Sequence, residues 1–68
     1  MAKKLTKAQM AEKVTVVCYG KKKTYIRKDA IEFFKNGILC CDPDSSECER
    51  YINIYSHLTA GAMIAKDE

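Results

Sequence analysis

The 68-residue sequence predicts a small α+β domain in which a β-hairpin packs on two α-helices. Three observations predict it. VTVVCY at 14–19 and TYIRK at 24–28 are rich in β-branched and aromatic residues and are joined by a glycine and three lysines. KDAIEFFKNGILCC at 28–41 repeats its apolar residues at three- and four-residue steps. SSECERYINIYSHLTAG at 45–61 does so again after a proline-bearing break.

Residues 1–12 read as a basic N-terminal arm, because they carry lysines without a sustained apolar pattern. Within the arm, Thr6 and Gln9 have the spacing of a capping box and can begin a short helix. The domain proper spans 13–65, with 66–68 as a tail. Its first strand is expected at about 14–19 and its second at about 23–27, with Gly20 supplying a positive φ in the connection. A three-residue loop gives the cleaner apolar face and turns Val14, Val16 and Ile26 inward; a one-residue slip exchanges the two faces.

The first long helix is expected at about 28–40 on the stripe Ile31, Phe34, Ile38 and Cys41, widened by Ala30 and Phe33. Asp29 and Glu32 suit its positive N-terminal end, and Asn36-Gly37 is a candidate C-cap inside the stripe. Pro43 and its polar neighbours form a turn. Ser46 with Glu49 then makes a capping-box pattern for a second long helix at about 47–60. Cys48, Tyr51, Ile52, Tyr55, Leu58 and Ala62 share its inner face, which leaves Ile54 outside. Gly61 is placed to end it, and the apolar residues 62–65 can add a short third strand to the hairpin edge, which a lone hairpin needs.

A chain this short buries only about 60% of its unfolded surface, so a disulfide, a metal or self-association is worth weighing as a supplement. The composition, 47% hydrophobic and 31% charged, is globular, with no membrane-spanning run and no export signal. A cytoplasmic protein with Cys18, Cys40, Cys41 and Cys48 reduced is the expectation. No metal is expected: adjacent cysteines on a helix diverge, and Cys48 and His57 lie outside the usual knuckle spacing. Cys40, near a negative helix end, is poorly placed to be a thiolate. Nothing in the sequence around His57 marks it as a catalytic base, and it reads as a solvated side chain. There is no phosphate loop, acid pair or nucleophile elbow, so no enzyme, cofactor or small-molecule substrate is expected.

The charge is polarised. Residues 1–28 hold nine Lys/Arg and one acid, whereas residues 29–68 hold three and eight. Lys21, Lys22, Lys23, Arg27 and Lys28, with Tyr19 and Tyr25 interleaved, therefore form a candidate nucleic-acid contact. The bland alternative is that lysines at a hairpin tip and edge keep the strand soluble and unpaired. Arg50, Tyr51, Ile54 and Tyr55 have the composition of a protein interface, which suggests an inhibitor or adaptor of a host system, or a homodimer.

CYG at 18–20, RKDAIEFF at 27–34 and the pattern SE-x-ERY-x-x-IY-x-x-L-x-x-G at 46–61 resemble small uncharacterised proteins carried on mobile genetic elements of Gram-positive gut bacteria. The resemblance covers about two thirds of the chain. It implies a conjugative element, plasmid or phage as the setting and a bacterial cytoplasm, and it transfers no catalytic residue. Cys48 and residues 1–9 depart from the pattern.

Overall fold

The computed structural model describes residues 5–67. Along the chain lie α1 (Lys7–Met10), β1 (Lys13–Cys18), β2 (Lys21–Ile26), α2 (Arg27–Cys40), α3 (Ser46–Thr59) and β3 (Ile64–Lys66). The expected α+β architecture, including the C-terminal strand, is the one observed. The sheet order is β2-β1-β3, with β1–β2 antiparallel and β1–β3 parallel. Two helices cover one face of the sheet. Val14, Val16, Ala30, Phe34, Ile54, Leu58 and Ala65 make the core between them.

The hairpin differs from expectation by one residue of register. Its connection is two residues, Tyr19 (φ 53°) and Gly20 (φ 76°), and positive φ at both central positions suits the right-handed twist of the strands. Val14 therefore pairs with Tyr25, Val16 with Lys23 and Cys18 with Lys21, so Tyr25 rather than Ile26 turns toward the helices. A tyrosine in the left-handed region costs on the order of 1 kcal/mol, and two contacts hold it there. Its N–H donates to the Asp67 carboxylate at 3.0 Å, and the Arg50 guanidinium lies 4.7 Å from its ring centroid.

Thr6 caps α1 through the reciprocal bonds with Gln9, so the helical alternative for this part of the arm is the observed one. Lys3 and Lys4 of the arm lie outside the described residues. α2 runs through Asn36-Gly37 to Cys40, because Gly37 serves packing rather than termination: a Cβ there would sit 3.0 Å from Tyr51 Cδ2. The cap of α3 is Ser45, one residue before the expected Ser46, with its hydroxyl accepting from Cys48 N–H. At the other end Gly61 (φ 90°) and Ala62 donate to the Leu58 and His57 carbonyls, the paired bonds of a Schellman ending.

The inner face of α3 is rotated from the expected one. Ile54 is fully buried, whereas Ile52 is 45% exposed, since 51, 54 and 58 form the three-then-four step that meets β1 and α2. Ile54 thus belongs to the core and not to a surface patch.

Arg27 is the second correction. Expected as a solvent-facing cation, it is 0% exposed. Its guanidinium donates to the carbonyls of Gln9 (3.1 Å), Leu58 (2.9 Å), Ala62 (2.8 Å) and Gly61 (3.2 Å), with Met63 Sδ at 3.5 Å. Three of these carbonyls belong to the negative end of α3 and its exit turn, where a cation is favoured.

Arg27→Ala leaves those carbonyls without their partner and is expected to cost about 3 kcal/mol or more, out of a total of roughly 3–10 kcal/mol for a domain of this size. Arg27→Lys, with one ammonium in place of a five-donor fork, falls between. In thermal melts followed by circular dichroism, the alanine variant should lose on the order of 12 °C or arrive unfolded. A melt within about 3 °C of the parent, less than 1 kcal/mol on that scale, would show that the cradle carries little of the stability.

Candidate functional site

Side chains alternate across a strand, so the observed register sorts the lysines of β2. Lys22 faces the open side of the sheet. There it stands in a row with Val17 and Lys66, and Lys13 lies on the same side opposite Ile26. Lys21 and Lys23 face the helix side, opposite Cys18 and Val16, yet both are exposed because no helix covers that end of β2.

The uncovered end is a recess of about 210 Å³ lined by Val16, Cys18, Tyr19, Lys21, Lys23, Tyr25, Phe33, Phe34 and Tyr51. Its aromatic wall is continuous. Tyr25 and Phe33 stack at 6.2 Å with 25° between ring planes, and Phe34 meets Phe33 and Tyr51 edge-on at 5.1 and 5.5 Å. Phe33 and Tyr19 are each 58% exposed, so aromatic surface reaches solvent on both sides of the recess. No carboxylate is among the lining residues; the Tyr51 hydroxyl donates to Glu47 outside it at 2.7 Å, which pushes the phenol up to about 12.

The expected basic cluster divides. Lys21, Lys22 and Lys23 stay together at the tip, with Tyr19 and Tyr25 beside them. Arg27 is in the interior. Lys28 lines a shallow depression with Lys7, Asp29 and Ile26 at the far end of β2, five residues and roughly 17 Å from Lys21 along the strand. Lys66, which sequence spacing did not connect to the tip, stands near it across the sheet beside Val17, whereas Lys13, opposite Ile26, lies at the far end with Lys28.

The expected protein interface is redistributed as well. Tyr51 and Tyr55 are half-buried against the core, and Ile54 lies within it. Arg50 is engaged inside the molecule: it donates to Asp67 Oδ2 at 2.6 Å and covers Tyr19. Asp67 also accepts from Tyr19 N–H, and its carbonyl accepts from Asn53, so it ties the hairpin tip, α3 and the C-terminal strand together. His57 is half-buried on α3.

Neither Cys18 nor Cys41 is activated. Burial first, and then Asp67, push the Cys18 thiol up. Cys41 rises to about 11 through its hydrogen bond with Cys48 and its burial. Both are neutral thiols near pH 7. No group of three or more metal-ligating side chains converges among the described residues, and none of their helices is long and apolar enough to cross a membrane. No family model, no curated protein and no solved structure matches the chain.

The Tyr19 N–H and Arg50 hold the Asp67 carboxyl below its ordinary value of 3.8. The unfolded chain therefore binds the proton more readily, and stability rises with pH across that range. The contribution is full above about pH 5 and is lost as pH falls through the lowered value. Urea denaturation from pH 7 down to pH 2.5 should give a midpoint that declines in acid more steeply for the parent than for Asp67→Asn. Parallel declines would mean that the clasp does not contribute to acid sensitivity.

Proposed function

We propose that the chain is a non-enzymatic accessory protein that binds nucleic acid through the cations of its sheet layer, in the mobile-element and cytoplasmic setting that the sequence resemblance implies. One observation carries this reading: the exposed charges are separated by layer. Among the described residues the strands present Lys13, Lys21, Lys22, Lys23 and Lys66 and no acid; of the carboxylates at their ends, Asp67 is bound to Arg50 and Glu12 stands next to Lys13, away from the hairpin tip. The two long helices and their connection hold Asp29, Glu32, Asp42, Asp44, Glu47 and Glu49, opposed by Lys28 and Lys35 as their exposed cations, while Lys7 belongs to the short α1. A polyanion is attracted to the sheet layer and repelled by the helix layer, which orients the encounter. Edge protection accounts for the lysines on β2 and for Lys66 on β3, the other edge strand, but it does not account for Lys13 on the central strand.

A protein interface centred on Ile54 has less support, since that residue is occupied in packing. Five phosphate contacts would give a steep salt dependence, with log K falling by roughly 3.5 to 4.5 per tenfold rise in salt. Fluorescence anisotropy with a labelled oligonucleotide at 50–300 mM salt measures the slope. Replacing Lys21, Lys22 and Lys23 together by alanine should reduce it by about 2 to 3. Binding that is absent, or indifferent to salt, refutes the reading.

A further inference from the structure

The lysines account for attraction to phosphate, but they do not account for the exposed aromatic wall between them. Phe33 lies on α2 and Tyr19 in the turn, and neither completes the core: the helices already cover Val14 and Val16 without them. We infer that the recess between the hairpin tip and α2 receives an unpaired base of single-stranded nucleic acid, stacked on the Phe33–Tyr25 wall, with Lys21 and Lys23 on the adjoining phosphates. This rests on the nucleic-acid reading and adds to it a preference for single strands.

Three features select this occupant. The first is size: about 210 Å³ is below the roughly 300–1,000 Å³ of sites for drug-sized ligands, so the recess takes one planar ring system rather than an extended molecule. The second is chemistry. Aromatic faces flanked by cations, with no carboxylate in the lining, match a base attached to phosphate, and such surfaces bind single strands by stacking plus counterion release. An acidic peptide would satisfy the lysines but leave the ring wall unmatched, and a neutral apolar peptide would do the reverse.

The third is preorganisation. Phe33 is held by Tyr25 at 6.2 Å and Phe34 at 5.1 Å, and Tyr19 is held by the Arg50 guanidinium and the Asp67 carboxylate, so the walls stand without ligand. Lys21 and Lys23, two residues apart on the same side of β2, place their ammonium groups along one edge of the recess. A duplex keeps its bases stacked internally and can reach the lysines but not the wall.

The test uses the whole chain with a fluorescein-labelled ten-nucleotide oligothymidine, the matching oligouridine, and a duplex of equal length. The single strands should bind more tightly than the duplex. Phe33→Ala should weaken single-strand binding roughly 5- to 150-fold, the effect of losing one stacked base, with the salt slope and the duplex affinity unchanged. Phe33→Trp should restore it. Lys21→Ala with Lys23→Ala should instead lower the single-strand salt slope by about 1.4. Because Phe33 is largely exposed, circular dichroism melts should show the variants folded; Tyr19→Asn, which suits the positive φ, is a second variant that removes a wall without backbone strain. Single-strand affinity within twofold of the parent in both Phe33→Ala and Tyr19→Asn overturns the inference. Equal, salt-dependent binding of duplex and single strands that ignores Phe33 overturns the base site and leaves the sheet-layer reading in place. Absence of any salt-dependent binding overturns both.

Discussion

The fold depends on a buried cation whose partners among the described residues are carbonyls and not carboxylates. Arg27 begins α2 directly after β2, with its N–H bonded to the Glu12 carbonyl at 2.8 Å. From there its guanidinium gathers carbonyls from α1, from the last turn of α3 and from the turn leading to β3. Burying an unpaired charge ordinarily costs several kcal/mol, and only a full set of aligned acceptors offsets it. Here three of the four acceptors lie at the negative end of α3 and in the turn that follows it, where a cation is favoured and carbonyls are short of helical donors. The turn held by Arg27 delivers Met63, whose carbonyl accepts from Thr15 N–H at 2.9 Å as β3 begins its pairing with β1. One side chain thus links the start of the sheet, the end of the last helix and the entry to the third strand.

A second polar clasp closes the opposite end of β1. Asp67 follows β3, takes the Tyr19 N–H and the Arg50 guanidinium, and donates its own N–H to the Val17 carbonyl at 3.1 Å. Between the clasps lie the two buried valines of β1, and this division of labour follows from size. Seven buried apolar residues form a small core, and small domains commonly need some supplement to hydrophobic burial. This one uses hydrogen-bonded charge: Arg27 and Asp67 are buried, and Arg50, whose side chain stays 40% exposed, is paired with Asp67. The charges that remain in the sheet layer are then of one sign.

Element types were legible in the sequence because they depend on local spacing: the stripe through Ile31 and Phe34, the serine before Cys48, and the glycine after α3. What was not legible depends on distant partners. The acceptors of Arg27 lie 18 to 35 residues away, so nothing near RKDAIEFF distinguishes a buried guanidinium from a solvated one. Tyr19 adopts a positive φ supported by Asp67, 48 residues on, and no local rule favours tyrosine there. Ile52 and Ile54 both fit an apolar stripe on α3, and only the placement of β1 and α2 decides between them. Of the candidate site, Lys21, Lys22, Lys23, Tyr19 and Tyr25 were legible as a group; Phe33 read as core, and Lys13 and Lys66 required the sheet order.

The recess follows from the same register. In the three-residue alternative, Thr24 and Ile26 would turn toward the helices, and an apolar edge of that kind can be covered. With the two-residue turn, Lys21 and Lys23 take the helix side, opposite Cys18 and Val16. Covering them would strip water from two ammonium groups in a recess whose lining holds no carboxylate, at a cost of several kcal/mol each. The helix layer consequently stops at Phe33 and Tyr51, and with Tyr25 of β2 their rings form a wall where the core would otherwise continue. The positive φ of Tyr19 sets the register, the register sets the side on which the lysines lie, and their hydration keeps the aromatic recess open.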